Sequence, residues 1–296
     1  MFNIFRNTAF HSSVLGINER NVQYVYAKNR RRDFKLADDK IVCKEILHKH
    51  RLSCADTYGI IDKIGTIHKV WQSVENRHTL AIKPANGSGG GGILILKKSD
   101  QGIWTSGGTP WSDARIHAHM AQIIMGMYSF SSSDRVLIEQ CIVPHPFFYE
   151  IYPAGVPDFR VILLDNVPVM SMLRVPTDRS DGKANLHQGG LGIGVDMELR
   201  TLTHAYDGQH YYDVHPDNGQ LISGKEIPFW DKILSLSIAT SKVFPLNYLG
   251  IDIVLDRDYG PMIMEINARP GLGIQIANRV GLKTILNKTK YAHHEI

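Results

Sequence analysis

The sequence predicts an α+β protein. Short strand-like runs outnumber long helical ones, several strand runs are neighbours joined by tight turns, and strands do not alternate regularly with helices as a doubly wound parallel sheet requires. The chain has 296 residues, 43% of them hydrophobic and 21% charged. That is ordinary globular composition, with enough length for roughly one to three domains.

Residues 1–36 are polar, with short apolar pieces at Val22, Tyr24 and Tyr26, and the sequence assigns them no fold. "LADDKIVCKEILHKH" reads as a helix that Asp38 or Asp39 can cap, with a stripe of Ile41, Val42, Ile46 and Leu47. A strand near 58–61 and a helix over 64–76 follow. "HTLAIKP" and "GILILKK" are strands on either side of a glycine block. After Thr109-Pro110, the spacing of Ile116, Met120, Ile123, Ile124 and Met127 predicts a long helix. "DRVLIEQCIV" reads as a buried strand ending at Pro144, and "FRVILLDNVPVMSMLRV" as two strands around Asp165-Asn166. "IPFWDKILSLSIATSKVF" is a helix with Pro228 in its first turn. "YLGIDIVLD" and "GPMIMEINARPG" form two strands around residues 257–260, and a helix is expected from about Ile274 before a polar tail.

A net charge of +4 is too mild to point to nucleic acid. The run Arg30-Arg31-Arg32, flanked by Lys28 and Lys35, reads as solvated surface or a local anion site. Cys43, Cys54 and Cys141 show no C-x-x-C spacing, which argues against a zinc site or a disulfide framework and for a reducing compartment. The start lacks a secretory pattern, and no apolar run approaches the ~18 residues of a membrane span. The expectation is a cytoplasmic protein, with homo-oligomerisation left open.

The stretch "LAIKPANGSGGGGILIL" contains G-x-G-x-x-G at Gly87, Gly89 and Gly92. A dinucleotide fingerprint and a phosphate-binding P-loop both lead into a helix, whereas this block leads into Ile93-Leu94-Ile95-Leu96. A protein-kinase loop needs its lysine on a later strand, and here Lys83 comes first. What remains is a hairpin whose glycine loop lets backbone N–H groups approach phosphate, with a fixed cation at its root.

Far downstream lie Asp252 in "GIDIVL" and Glu265-Ile-Asn267 in "MEINARPG". Glu265 and Asn267 share a strand face, and a hairpin can bring Asp252 beside them. Two carboxylates and an amide oxygen make a hard donor set suited to Mg²⁺. The plainer alternative is two unrelated acids at strand ends, but buried carboxylates without a cation are costly.

In order, "ADDK", "IKPANGSGGGG", "LIEQCI", "VPDFR", "NLHQGG", "LGIDIV" and "MEINARPG" resemble the ATP-grasp ligases, most of all their ribosomal-protein glutamate ligase branch and its alpha-L-glutamate ligase-like relatives. The resemblance spans about Leu36 to Leu282. It implies an ATP-grasp fold, two α+β subdomains clasping ATP, over residues 37–142 and 143–285. A short extension (1–36) would precede them and a tail (286–296) follow, without a full-length preceding α/β domain. It implies Lys40 and Lys83 on phosphate and adenine; Gly87, Ser88, Gly89, Gly90 and Gly91 as the lid; and Glu139, Gln140, Cys141 and Ile142 as the hinge reading adenine, partly through the Glu139 carboxylate. Asp158 would hold the ribose, and Asp252, Glu265 and Asn267 two Mg²⁺ ions, with Mn²⁺ an alternative. Arg174, Asn185, His187 and Arg269 would face the γ-phosphate and the reacting carboxylate. The activity implied is ATP-dependent ligation of a small carboxylate to an amine through an acylphosphate, with glutamate as one candidate acid. A non-ligating ATP-binding protein and a phosphotransferase are the alternatives. Several residues keep plainer readings: Arg174 could pair with Asp178 or Asp181, His117, His119, His293 and His294 could be surface residues, and Arg20, with Arg30 to Arg32, could meet an anionic substrate.

Overall fold

The computed structural model describes residues 12–87, 89–129, 131–180 and 182–292. Ser88, Asp181, His293 and His294 therefore lie outside the described residues. Contacts divide the chain into two compact units. One comprises Asp38–Ile46 and Cys54–Ile142, and the other the residues up to Ala37, Leu47–Ser53 and those from Val143 onward.

The smaller unit is built on a six-stranded sheet in the order β1-β6-β2-β3-β4-β5. Its strands are β1 (Thr57–Ile61), β2 (Thr79–Pro84), β3 (Leu94–Lys98), β4 (Trp104–Ser106), β5 (Thr109–Pro110) and β6 (Val136–Glu139). β2 and β3 form the antiparallel hairpin around the glycine block, and β6 pairs with β2 on its other side. Alternation sends Leu80, Ile82, Leu94, Leu96, Val136 and Ile138 into a core with Trp71, Ile116, Met120 and Ile123 from helices Ile67–Val74 and Asp113–Ile124. Ala81, Lys83, Ile95, Leu137 and Glu139 are left on the opposite face.

The 113–124 helix is shorter than its apolar spacing suggests. It stops before Gly126, whose φ of 82° and close approach to the Ser132 carbonyl exclude a side chain, and Met127 is exposed. β6 likewise ends at Glu139 and does not reach Pro144, because the Gln140 N–H turns to the Asp56 carbonyl (2.9 Å).

The larger unit carries a seven-stranded sheet in the order β11-β10-β9-β8-β7-β12-β13. These strands are β7 (Asp158–Leu164), β8 (Val167–Val175), β9 (Leu191–Asp196), β10 (Thr201–Tyr206), β11 (Tyr211–Tyr212), β12 (Tyr248–Asp256) and β13 (Gly260–Asn267). The β7–β8 turn has Asp165 and Asn166 at φ 50° and 67°, the left-handed pair that suits a two-residue hairpin. β12 is buried throughout, between its hairpin partner β13 and the distant β7. Helix Trp230–Val243 covers one face, where Trp230 meets Phe159. Alternation therefore puts Asp158 and Arg160 on the other face. Pro228 lies outside that helix. The start is set by buried Trp230, with Phe229 held at φ 58° as N-cap.

From residue 12 onward the N-terminal segment, to which the sequence assigns no fold, carries regular structure. Ile17–Arg20, a π-helical turn Asn21–Val25 and Tyr26–Lys28 make a helical run. Asn29 donates to the Tyr248 carbonyl (2.6 Å) and accepts from its N–H (3.0 Å), occupying the backbone at the start of β12. Gln275 brackets Leu15 in the same manner (2.9 and 3.0 Å). Arg20 is buried and donates to the Pro270 carbonyl (2.8 Å), so it braces the loop after β13 and is not open to a substrate anion. The C-terminal helix is broken into Gly273–Ala277 and Leu282–Ala292, with Arg279 at φ 53° between them.

Candidate active site

In the smaller unit, Asp39 caps helix Lys40–Lys49 by accepting from the N–H groups of Ile41 (3.0 Å) and Val42 (3.2 Å). This places Lys40 in the first turn, with its Nζ on the Gly87 carbonyl (2.6 Å). The glycine loop is also fixed at its far end, where His119 Nε2 meets the Gly92 carbonyl (2.9 Å). Burial lowers the His119 pKa, against the opposing effect of that carbonyl, which favours a neutral ring. His117 and His119 are half-buried among Trp71, Trp111 and Tyr128 and are not free surface residues. The glycines have local reasons. A Cβ on Gly87 would lie 2.3 Å from Pro84, one on Gly92 would lie 2.6 Å from the Tyr128 ring, and Gly89 and Gly90 have φ of 61° and 74°.

On β2, Lys83 shares a face with Ala81, which lies opposite Glu139 of β6. Glu139 is 2% exposed and forms ion pairs with Lys83 and with Lys44 (2.7 Å). Burial pushes its carboxyl up, but the two ammonium groups outweigh that and hold it below the ordinary carboxylate range. Its carboxylate is held by the two lysines, whereas the resemblance assigns it to adenine. The Gln140 N–H is likewise taken by Asp56, and Cys141 and Ile142 are half-buried beyond it. Lys44 was missed because it reads as one more charge on a solvated helix.

In the larger unit, four strands align a ladder of charge. Arg174 of β8 is opposite Asp158 of β7, Arg160 of β7 is opposite Asp252 of β12, and Asp252 is opposite Glu265 of β13. Arg160 grips Asp252 in a fork, Nε to Oδ1 and Nη2 to Oδ2, both at 2.7 Å. Arg174 Nη2 reaches the same Oδ2 (2.6 Å), and Asn267 Nδ2 adds a longer bond (3.2 Å). Arg174 Nε also donates to Asp158 (2.8 Å), so among the described residues its partners are Asp158 and Asp252 and not Asp178, while Asp181 lies outside them.

Asp252 is fully buried. Desolvation pushes its carboxyl up, yet Arg160 and Arg174 outweigh it and keep the group ionised, below its ordinary pKa. Asp158, 2% exposed, is pushed up to about 7 by burial and by Asp252, against the pull of Arg174. Burial works against the Arg174 charge, but the two aspartates raise its pKa further. In this enclosure Asp158 is engaged by Arg174, whereas the resemblance assigns it to the ribose.

Asn185 accepts from the His187 N–H (3.1 Å), shaping the short turn Leu186–Gln188. A pocket of about 30 Å³ is lined by Arg160, Arg174, Asn185, Leu186, His187, Met172, Gly271 and Gly273. Arg269 stands outside this lining, its guanidinium over the Phe34 ring at 5.2 Å. Arg160 is the residue the sequence reading overlooked. In "DFRVILL" it looks like one polar position of a strand, and only the β7–β12 pairing reveals its partner.

Among the described residues, no group of three or more His, Cys, Asp and Glu could hold a metal ion. Asp252 and Glu265, directly opposite one another, with Asn267 on the same face, still supply the two carboxylates and one amide that a hard divalent cation takes. The donor set fits Mg²⁺, with the Asp252 oxygens engaged by guanidinium groups.

The family model described as "Sugar-transfer associated ATP-grasp" matches residues 19–291, most of the chain. No curated protein sequence matches significantly. Similar solved structures include the ATP-grasp ligase PsnB complexed with a minimal precursor (14% identity, TM-score 0.48, covering 90% of this chain and 62% of that one). Others are D-alanine–D-alanine ligase from Bacillus anthracis (14%, 0.47, 85% and 66%) and the D-cycloserine synthetase DcsG (11%, 0.47, 86% and 71%). The chain thus spans less than two thirds of the first two of these structures. No helix among the described residues is long and apolar enough to cross a membrane, and all three cysteines are free.

Proposed function

The chain belongs to the sugar-transfer associated ATP-grasp family, and on that premise we propose that it is an ATP-dependent ligase joining a carboxylate to an amine. The observation that carries this reading is the buried Asp252, set against Glu265 and Asn267 and clasped by Arg160 and Arg174. It combines a hard-cation donor set with two guanidinium forks, the two kinds of group that neutralise a phosphoryl group in transfer.

In the smaller unit, Lys40 and Lys83 supply fixed cations beside a glycine-rich loop, a combination suited to a triphosphate. On the Lys83 face, Ile95 is the exposed apolar side chain, suited to a purine, with Ala81 and Leu137 buried beneath that face. In the larger unit, Asp252, Glu265 and Asn267 would hold Mg²⁺, two ions in this reading, which when bound spreads the developing charge of the transferring phosphoryl. Arg174, steered by Asp158, orients the γ-phosphate and the attacking carboxylate. Asn185 shapes the His187 turn beside them. The carboxylate displaces ADP to form an acylphosphate, and an amine then displaces phosphate to form the amide. The chain's work is positioning and neutralisation, and no covalent nucleophile is needed. The family match is to the sugar-transfer associated ATP-grasp model and carries no assignment to the ribosomal-protein glutamate ligase branch. A glutamate-like acid is the finer candidate, supported by "NLHQGG" in combination with the spacing of Asp252, Glu265 and Asn267.

The test is incubation with ATP, Mg²⁺ and panels of acids and amines, followed by mass spectrometry for condensation products. ADP formation that needs both an acid and an amine supports the ligase. ADP formation with an acid or alcohol alone would make the protein a phosphotransferase. Nucleotide binding without turnover against any pair would leave a binding protein.

A further inference from the structure

Both oxygens of the Asp252 carboxylate already hold neighbouring donors, Oδ2 most heavily. Arg160 holds both oxygens as a fork, and Oδ2 also takes Arg174 and Asn267. A divalent cation approaching this carboxylate meets guanidinium groups in the positions it needs. Both arginines are nearly buried, with side-chain exposures of 12% and 11%, so neither can swing into bulk water without losing partners. They need another anion to turn to, and both line the small pocket beside Asn185 and His187.

We propose that Arg160 is a positioning residue that locks the metal site shut until an anion, the phosphate of a nucleotide or the substrate carboxylate, draws its fork off Asp252. The cation and the anion then bind with positive coupling: each removes the partner that blocks the other. Arg160 suits this exchange better than a lysine would, because its planar fork fits a carboxylate and a phosphate equally well, while an ammonium satisfies only one oxygen at a time. The consequence is order. Free Mg²⁺ does not preload this site, so a solitary cation cannot hold the acid side chains in a hydrolytic arrangement before the nucleotide arrives.

This inference rests on the metal-site reading above, and the experiment separates the two. Mn²⁺ binding to the intact chain is measured by electron paramagnetic resonance, with and without a non-hydrolysable ATP analogue. Arg160→Gln, Arg160→Lys and Asp252→Asn are compared with the unaltered protein, after thermal melts establish which variants fold. With the analogue, Asp252→Asn should lose Mn²⁺; if it does not, the metal-site reading fails whatever Arg160 does. Without the analogue, Arg160→Gln should bind Mn²⁺ tighter than the unaltered chain by roughly tenfold or more, and Arg160→Lys by less. Adding the analogue should narrow the gap. A residue that only shapes the site would weaken Mn²⁺ binding when replaced. Unchanged or weaker nucleotide-free binding in the folded variants, with Asp252→Asn behaving as expected, overturns the lock.

Discussion

Each unit buries one carboxylate under two cations, yet the two clusters leave opposite charge behind. Around Glu139, two lysines face a single acid, and the surplus is positive. Around Asp252, two arginines face Asp252 and Glu265 and also Asp158, whose carboxyl is pushed up to about 7, so the surplus is negative once Asp158 ionises above that pH. A positive remainder next to a glycine loop attracts phosphate, while a negative remainder with an amide alongside attracts a metal ion. The cation type differs for a physical reason as well. Lysine offers a point charge that one carboxylate oxygen can anchor, whereas arginine's fork is exchangeable between planar anions. One arrangement serves as a fixed cation holder and the other as a site open to exchange.

The largest expected effect tests the negative cluster. Asp252→Asn or Glu265→Gln should lower turnover by roughly three orders of magnitude, because the charge that the cation neutralises in phosphoryl transfer is left uncompensated. Steady-state ADP release would show it, and near-normal rates would dissolve the contrast between the clusters.

The positive cluster should register mainly in stability. Glu139→Gln leaves two buried ammonium groups without a counter-charge and should destabilise the protein by about 3 kcal/mol, read by urea unfolding. The sign with pH follows from the depressed carboxyl. Its contribution is fully present above the ordinary value of 4.5 and is lost as pH falls through the lower folded value. Acidification below 4.5 should therefore weaken the unaltered protein more steeply than Glu139→Gln. Parallel pH curves for the two proteins would mean that the lysine pair contributes nothing.

A smaller effect belongs to the glycine loop between β2 and β3, with the β3–β4 turn as its reference. There Gly102→Ala, at φ 78° with open space around it, should cost about 1 kcal/mol. Gly92→Ala should cost more, since its Cβ would also meet Tyr128, and should raise the KM for ATP. Equal thermal shifts for the two variants would remove Tyr128 from the account.

Much of this was legible in the sequence, for reasons that particular residues show. Hairpins were readable because their partners are close in the chain. The glycine hairpin, the Asp165-Asn166 turn and the β12–β13 pair all follow from alternation broken by turn residues. Asp252, Glu265 and Asn267 were readable for the same reason. What stayed hidden depends on pairing between distant segments. Nothing local announces that β12 lies against β7, so the Arg160 fork on Asp252 was invisible, and with it the enclosure of Asp158. The N-terminal helical run was obscured because its few buried apolar residues, Leu15, Tyr24 and Val25, are interspersed with polar anchors. Arg20, Asn29 and the Leu15 backbone engage distant carbonyls and amides, and these leave no apolar period to read. The helix expected to begin at Pro228 begins at Trp230 because burial of the indole, not proline geometry, sets the first turn.

The central claim, that the chain activates a carboxylate by phosphorylating it before an amine attacks, has a direct isotopic test. With an acid and amine pair that supports ADP release, the acid is supplied with ¹⁸O in its carboxylate and the released phosphate is weighed by mass spectrometry. An acylphosphate route predicts one ¹⁸O atom carried into phosphate for each amide formed. Amide formation with unlabelled phosphate would contradict it.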